Sequence, residues 1–216
     1  MTRAEVCRRI EEVGIVPVVR APSAELAIRA ADALLAGGIS IFEITMTVPD
    51  AQAVIRSLVA RFKGAAVVGA GTVLSADDAR SCIDAGAEFI VSPGFDPGTI
   101  EAAHERDVAV MPGALTPTEV ITAWKAGSDM VKIFPCSAVG GAKYLRALKG
   151  PLPQVKMLPT GGVSLSTVHE FIAAGAAALG VGTELVDIKA LAAGQDALLT
   201  ERAREFVQAV AAARSR

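Results

Sequence analysis

The stretch Ala126-Gly-Ser-Asp-Met-Val-Lys-Ile-Phe-Pro135 joins the end of a predicted helix to a predicted strand. A glycine directly after a helix accommodates the left-handed backbone in which many helices end. The run from Met130 to Phe134 is apolar except at Lys132, and Gly127 and Pro135 bracket it. This pattern predicts a short buried strand that begins almost as soon as the helix ends.

The same junction of a helix, Ala-Gly and an apolar run occurs four times along the chain. The junctions are Ala36-Gly37 before 39–44, Ala85-Gly86 before 89–91, Ala126-Gly127 before 130–134, and Ala174-Gly175 before 178–181. Four further strands are predicted at 15–20, 66–69, 108–111 and 155–158. Helices are predicted at 23–36, 50–62, 75–85, 97–105, 117–126, 141–149, 164–174 and 196–213, with N-caps at Ser23, Ser75, Thr116 and either Ser164 or Ser166.

Strands and helices that alternate throughout a chain indicate parallel strands joined by right-handed crossovers. Eight such units in 216 residues, without a linker or low-complexity segment, predict an α/β protein with one (β/α)8 TIM barrel domain over residues 1–216. A doubly wound open sheet is the alternative. It is disfavoured because no Gly-x-Gly-x-x-Gly motif opens a helix at the first glycine-rich turn.

Composition limits the partners of this chain. Hydrophobic residues make up 52% and aromatic residues 4%, so Ala, Val, Leu and Ile must build the core, as in parallel sheets covered by helices. A net charge of -2, without a basic stripe or polybasic segment, gives no indication of nucleic-acid or membrane binding. A small molecule is therefore the expected partner.

The cysteines and the N-terminal segment indicate a compartment. Three cysteines without a CxxC spacing favour a reducing environment over a disulfide framework. The first ten residues lack the apolar core of a signal peptide, and no apolar run approaches the roughly 18 residues of a membrane span. A cytoplasmic protein is expected.

Lys132 is a charged residue in an otherwise apolar predicted strand. Burying an unpaired ammonium costs several kcal/mol, and loss of the proton relieves that cost. A neutral amine attacks ketones to form a Schiff base, so Lys132 is a candidate for covalent catalysis on a carbonyl substrate. The alternative is that the side chain lies along apolar surface and places its ammonium in water.

Glu43 is the second charge in an apolar strand, and it shares a face with Ile41 and Thr45. Catalytic groups of such barrels lie at the carboxyl ends of strands, where Glu43 and Lys132 both fall. A carboxylate inside an apolar barrel has its pKa raised unless a cation is close, and either state suits a general acid or base. The alternatives are a structural ion pair with Lys132 and a solvated position at the edge.

Two glycine-rich segments follow the predicted seventh and eighth strands: Pro159-Thr-Gly-Gly-Val-Ser164 and Gly180-Val-Gly-Thr183. Barrels of this type frequently bind phosphate there, on exposed backbone N–H groups. The position predicts a phosphate site, although a Gly-Gly pair also occurs in ordinary turns. The two histidines, His104 and His169, fall in predicted helices without metal-ligand spacing, so no metal and no cofactor is predicted.

Six motifs carry a resemblance to a known family. They are Glu43-Ile-Thr, Gly69-Ala-Gly-Thr-Val, Ser92-Pro-Gly, Met111-Pro-Gly, Val131-Lys-Ile-Phe-Pro and Pro159-Thr-Gly-Gly-Val. In order and spacing they resemble the class I 2-keto-3-deoxy-6-phosphogluconate (KDPG) aldolase family, which also includes 4-hydroxy-2-oxoglutarate (KHG) and phosphogalactonate aldolases. The resemblance covers nearly the whole chain. It implies a homotrimeric, metal-independent barrel that cleaves a phosphorylated keto acid, KDPG, into pyruvate and glyceraldehyde 3-phosphate, with KHG as a further substrate.

The resemblance also implies roles for individual residues. Lys132 would form the Schiff base with the C2 ketone, and Glu43 would transfer protons as the carbinolamine forms and as the C3–C4 bond breaks. The protonated imine would take up the electron pair of that bond, which is why the family needs no metal. The other implied contacts are Thr72 and Thr160 to the pyruvyl part, Pro93 and Phe134 as its walls, and Gly161, Gly162, Gly182 and Thr183 to the phosphate.

One position departs from the family pattern. Many members carry an arginine four residues after the glutamate, where it binds the substrate carboxylate, whereas this chain has Thr47. A threonine cannot offer the bidentate charged donor that a carboxylate prefers. We predict that Arg20 takes over this contact, so that Arg20→Ala raises KM for the keto acid by more than roughly tenfold. Alternatively, neutral donors near Thr47 hold the acid group and the substrate preference changes.

Other functions stay open at this stage. A phosphosugar epimerase or isomerase would use Glu43 as a base, with Lys132 as an electrostatic group only. A non-catalytic barrel would bind a phosphorylated metabolite without turnover. A phosphogalactonate aldolase would differ only in the configuration at C4 of its substrate, which the sequence does not determine.

Overall fold

The computed structural model describes residues 1–215, so Arg216, the last residue of the predicted domain, lies outside the described residues. Each predicted strand is present and runs parallel to its neighbours. The strands are β1 (Ile15–Val19), β2 (Ile41–Thr45), β3 (Val67–Gly71), β4 (Phe89–Val91), β5 (Ala109–Met111), β6 (Gly113–Ala114), β7 (Val131–Ile133), β8 (Met157–Pro159) and β9 (Leu179–Val181). The helices are α1 (Arg3–Val13), α2 (Ala24–Ala36), α3 (Ala51–Phe62), α4 (Ala76–Asp84), α5 (Pro97–His104), α6 (Pro117–Lys125), α7 (Gly141–Lys149), α8 (Val168–Ala173), α9 (Ile188–Ala192) and α10 (Asp196–Arg214), with a 3-10 helix at Cys136–Val139.

The strands close into a barrel through two links between a six-stranded and a three-stranded segment. The order within the segments is β5-β4-β3-β2-β1-β9 and β6-β7-β8. β5 and β6 are parts of one strand interrupted at Pro112, whose carbonyl accepts a hydrogen bond from the N–H of Lys132 at 2.9 Å. On the other side, Thr160 pairs with Gly180 of β9. The closed ring confirms the predicted (β/α)8 barrel and excludes the open doubly wound sheet.

The interruption at Pro112 explains why β6 is not predicted. Proline has no N–H to donate to a neighbouring strand, so the strand pattern ends there in the sequence. Pairing resumes at Gly113, which lies opposite Lys132. The short strand β6 therefore joins β7, which carries Lys132, to the ring of strands.

Three of the four predicted junction glycines take the left-handed conformation. Gly86, Gly127 and Gly175 have φ values of +101°, +92° and +94°. At the first junction Gly37 has a φ of -84°, and the next residue, Gly38, has a φ of +94°. The prediction for Gly37 is wrong by one residue, because either of two consecutive glycines can take this conformation.

The predicted N-caps are confirmed at three helices and wrong at one. Ser23, Ser75 and Thr116 each accept a hydrogen bond from the backbone N–H three residues further on. Helix α8 begins later than predicted, because the N–H of Ser164 donates to the Thr167 hydroxyl at 2.8 Å and closes a turn before the helix.

Helices α1 and α9 are not predicted from the sequence. Helix α1 begins at a capping box, in which the side chains of Thr2 and Glu5 each accept from the backbone N–H of the other. Helix α9 has five residues, too few for an apolar period to be seen. Among residues 1–215, no helix combines the length and the apolar character needed to cross a membrane.

Alternate strand residues face two separate apolar cores. Outward-facing side chains such as Phe42 and Ile44 pack against the helices. Inward-facing side chains fill the barrel, and helix α1 contributes three residues to this inner core, so that it closes the amino-terminal end. The inner core consists of Val6, Cys7, Ile10, Val16, Ile41, Val67, Phe89, Val91, Ala109, Met111, Met130, Leu158 and Ala178.

Candidate active site

Lys132 in β7 and Glu43 in β2 both point into the barrel. Each lies two residues after a member of the inner core, Met130 and Ile41 respectively, and residues two apart on a strand share a face. Their side chains are 4% and 2% exposed, and Lys132 Nζ lies 3.9 Å from Glu43 Oε1. The alternatives in which either charge is solvated are therefore wrong. At 3.9 Å the two groups attract each other but form no hydrogen bond.

Two glycines near the charged pair allow close packing. A Cβ atom at Gly71 would collide with the Glu43 carboxyl group. A Cβ atom at Gly113, opposite Lys132, would lie on the backbone of Pro93. Gly71 therefore leaves room for the Glu43 carboxyl group, and Gly113 lets the backbone of Pro93 pack closely against β6.

The surroundings of the Glu43 carboxyl group favour proton transfer. Its Oε1 is buried and has no hydrogen-bond partner among the described residues. Burial raises the pKa of the Glu43 carboxyl, and the charges of Lys132 and Arg20 offset this only in part. An unpartnered buried polar atom costs about 1–3 kcal/mol, so a substrate group that pairs with it gains a favourable contact. A carboxyl oxygen in this state can exchange a proton with a bound substrate.

The predicted wall residues Pro93 and Phe134 line one cavity of about 450 Å³ beside β6. Lys132 Nζ lies 5.2 Å from the centroid of the Phe134 ring. This distance is within the range of cation–π attraction, so the ring face stabilises a positive charge on that nitrogen. The structure thus brings the two walls together and places one of them against the amine.

Thr72 and Thr160 follow β3 and β8 at the same end of the barrel. Thr72 has a left-handed backbone with a φ of +60°, a conformation that is unfavourable for a β-branched residue. Thr160 is buried, and its hydroxyl occupies the space where a Cβ atom at Gly180 would lie. The glycine in β9 therefore lets this hydroxyl face the barrel interior.

Thr47, at the position of the family arginine, belongs to a chain of hydroxyl groups. The Thr45 hydroxyl donates to the Val19 carbonyl at 3.1 Å, which uses its single proton. The Thr47 hydroxyl lies 2.7 Å from that of Thr45, so Thr47 is the donor of this second bond. Thr47 then presents only lone pairs to a ligand, which suits a hydroxyl group better than a carboxylate.

The two predicted phosphate segments are adjacent, because Thr160 of the first pairs with Gly180 of the second. Gly162 has a φ of +77°, and a Cβ atom there would lie 2.7 Å from Ser137 Cβ. Ser137 is not predicted from the sequence, since the 3-10 helix that brings this exposed residue to the turn has no sequence signal. The other predicted phosphate residues are Gly161 on the same turn and Gly182 and Thr183 after β9.

Arg20 lies beside the segment 180–183. It is exposed and lines a cavity of about 440 Å³ together with Gly182 and Thr183. Its guanidinium has no ion-pair or hydrogen-bond partner among residues 1–215. Its predicted contact with the substrate carboxylate stays a prediction.

His104 is the last residue of α5, and His169 lies within α8. In the part of the chain that the structure describes, no group of three or more His, Cys, Asp or Glu side chains is placed to hold a metal ion. A reaction without metal or cofactor stays a prediction.

A buried lysine that faces a buried carboxyl group at the carboxyl ends of barrel strands is typical of class I aldolases, which are carbon–carbon lyases. Comparison with known proteins agrees. A family model described as KDPG and KHG aldolase matches residues 6–201. The KHG/KDPG aldolase of Escherichia coli (strain K12) is 37% identical over 194 residues, which cover 90% of this chain and 91% of that protein. The chain belongs to the KDPG and KHG aldolase family.

Two solved structures support the same conclusion. The KDPG aldolase of Legionella pneumophila, with pyruvate captured as a covalent carbinolamine intermediate, has a TM-score of 0.85 and 30% identity over 92% of this chain and 96% of that one. A native KDPGal structure has a TM-score of 0.83 and 29% identity over 94% of this chain and 96% of that one. The resemblance seen in the six motifs is confirmed.

Proposed function

We propose that this chain cleaves KDPG into pyruvate and glyceraldehyde 3-phosphate through a Schiff base on Lys132. The observation that carries the proposal is the buried pair in which Lys132 Nζ lies 3.9 Å from Glu43 Oε1. The pair supplies a nucleophile and a proton-transfer group within reach of one substrate molecule. The names of the Escherichia coli and Legionella relatives support the choice of substrate.

The reaction begins when the free amine of Lys132 attacks the C2 ketone, and loss of water from the carbinolamine gives an iminium ion. When the C3–C4 bond breaks, its electron pair moves into the iminium to form the enamine of pyruvate. The C4 hydroxyl loses its proton and becomes the aldehyde of glyceraldehyde 3-phosphate. Protonation of the enamine at C3 and hydrolysis of the imine release pyruvate and restore the amine.

Glu43 is the proposed carrier of these protons. It takes the proton of the C4 hydroxyl during cleavage and returns a proton to C3 of the enamine. A general acid–base group works best when its pKa is near the operating pH, and burial moves the pKa of Glu43 upward in that direction. The ring of Phe134 stabilises the cationic nitrogen in the meantime.

A cleavage assay that measures pyruvate release from KDPG, KHG and 2-keto-3-deoxy-6-phosphogalactonate tests the function. We expect KDPG to be cleaved fastest, and borohydride with pyruvate to leave one reduced adduct on Lys132. 2-Keto-3-deoxy-6-phosphogalactonate is included because it has the opposite configuration at C4, and the similarity to the KDPGal structure makes it a second candidate substrate. An epimerase would give no adduct, and a non-catalytic barrel would bind the sugar phosphate unchanged. Release of pyruvate from none of the three would overturn the proposal.

Arg20→Ala is predicted to move the acidic limb of the pH profile to higher pH. Glu43 must be ionised to accept a proton, so kcat/KM falls as the pH falls through the raised pKa of Glu43. The Arg20 guanidinium lowers that pKa, so its removal raises the pKa further. The check is kcat/KM against pH with KHG. Arg56→Ala, on the exposed face of α3, is the control, and an acidic limb that does not move in Arg20→Ala would contradict the prediction.

Gly71→Ala is predicted to lower the rate of pyruvate release by about tenfold to a hundredfold. The added methyl group takes the place of the Glu43 carboxyl and moves it away from Lys132, and misplacement of about 1 Å costs that much. Overpacking also lowers the free energy of unfolding by about 1–3 kcal/mol, which a Tm measurement detects. In the control Gly150→Ala the new Cβ atom meets nothing closer than 3.6 Å. Unchanged activity in Gly71→Ala would show that Glu43 keeps its position.

We further propose that the chain is one barrel domain over residues 1–216, acts in the cytoplasm and assembles as a homotrimer. Closure of the strand ring supports the single domain. The resemblance to the family implies the trimer and a phosphorylated keto acid as the partner, and the net charge of -2 gives no indication of a nucleic-acid or membrane ligand. The mass in solution by light scattering tests the assembly, and a monomer at assay concentration would overturn it.

A further inference from the structure

Two cavities of opposite charge lie beside Thr183, in the loop after β9. The first has a volume of about 200 Å³, and its one cation, Arg202, is already engaged. Arg202 Nε lies 3.3 Å from Glu205 Oε2, and its Nη1 donates to the Glu184 carbonyl at 3.1 Å. An anion is repelled there, because the charged lining also contains Glu184, Asp187, Glu201 and Glu205.

The second cavity, of about 440 Å³, is lined by two cations that form no direct ion pair in the described part of the chain. Arg20 and Lys189 line it, and neither side chain has an ion-pair or hydrogen-bond partner among the described residues. The one acid in its lining is Asp187, and Asp187 Oδ1 accepts from the backbone N–H groups of Lys189 and Ala190, each at 3.0 Å. This cavity therefore attracts an anion.

Two backbone N–H groups beside this cavity are also without a partner in the described structure. Gly182 and Thr183 line the same cavity, and their N–H groups have no hydrogen-bond partner within residues 1–215. A phosphoryl group has three terminal oxygens and about two negative charges, so it matches a guanidinium, an ammonium and free N–H groups together.

Helix α9 fixes the position of Lys189. Asp187 caps the helix, and Ala190 and Leu191 are buried, which leaves Lys189 exposed at the cavity. The lysine is thus held at the cavity by its backbone while its side chain stays free to bind.

We propose that Lys189 acts with Arg20 as a specificity-determining residue that binds the phosphoryl group of the substrate, so that the chain selects phosphorylated over unphosphorylated keto acids. This inference rests on the proposed function. It differs from the sequence-based hypothesis that Arg20 binds the carboxylate. KDPG and KHG share the carboxylate at C1 but only KDPG carries a phosphoryl group, so a loss with KDPG alone indicates a contact to the phosphoryl group.

The test compares kcat/KM for KDPG and KHG in Lys189→Met, Lys189→Arg and the control Lys125→Met, which changes an exposed lysine at the end of α6. We expect Lys189→Met to lose about tenfold with KDPG and less than about twofold with KHG, because only the charged contact to the phosphoryl group is removed. Lys189→Arg should restore the value for KDPG to within about threefold. An equal loss on both substrates, or no loss on KDPG, would overturn the inference.

Titration with inorganic phosphate keeps this test separate from the proposed function. We expect wild-type protein to bind phosphate and Lys189→Glu to bind it at least about tenfold more weakly, since the cation is replaced by an anion. If the wild type releases pyruvate from no substrate, the proposed function fails while this comparison still decides the role of Lys189. Absence of phosphate binding by the wild type, or equal binding by the variant, would overturn the inference.

Discussion

Lys132→Met is expected to lose at least about a thousandfold in kcat/KM for KDPG, because removal of a covalent nucleophile leaves only binding and electrostatic contributions. Methionine has nearly the length of lysine and no charge, so it fits the space inside the barrel without an unpaired ammonium. The variant should also gain no reduced adduct with pyruvate and borohydride. Pyruvate release and intact-protein mass measure the two effects.

The exposed Lys125 supplies the matched control, since Lys125→Met makes the same chemical change on the surface of α6. It should keep both the activity and the adduct. Thermal unfolding should show that Lys132→Met is folded, because the raised pKa of Glu43 lets that carboxyl take a proton once its partner is gone. An adduct that persists in Lys132→Met would place the Schiff base on another lysine.

Glu43→Gln is expected to lose about 10²–10⁴-fold in kcat/KM, the range for a positioned general acid–base group. Glutamine keeps the shape of the side chain but neither accepts nor donates a proton at the pH of the assay. The acidic limb of the pH profile should disappear in this variant, because the group whose raised pKa produces it is absent. The measurement is kcat/KM between about pH 5 and pH 9, the range in which such groups titrate.

Glu101→Gln, on the exposed side of α5, is the control for this change and should keep the wild-type profile. A slower adduct with pyruvate in Glu43→Gln would assign the glutamate to carbinolamine formation as well as to cleavage. If Glu43→Gln keeps the wild-type rate and acidic limb, another group carries the proton.

The barrel is predictable from the sequence because its strands are short apolar runs separated by glycine and proline. Those residues mark the ends of helices by their own backbone preferences, whatever the rest of the chain does. The register of the strands and the split at Pro112 are not predictable in this way, since they depend on which strand lies alongside. Helix α9 is missed for a different reason, because a five-residue helix has no apolar period.

In the candidate site, Lys132 and Glu43 are predictable because a charge in an apolar strand is conspicuous. An ion pair between them is one of the alternatives that the sequence leaves open, and the structure alone shows that their charged groups lie 3.9 Å apart. The role of Gly71 is hidden in the sequence, because its contribution is the absence of a side chain next to Glu43. The cavity at Lys189 is hidden too, because it depends on the placement of a helix that the sequence does not indicate.

Helix α1 packs Val6, Cys7 and Ile10 into one end of the barrel, so the opposite end is the way in for every reactant. Substrate, leaving products and any small reagent then share a single passage to Lys132. A ligand bound in that passage blocks access to Lys132. Protection of Lys132 from chemical labelling therefore measures how much of the protein has ligand bound, even when the ligand does not react. The same geometry makes the plugged end the safer place for a tag or a surface attachment.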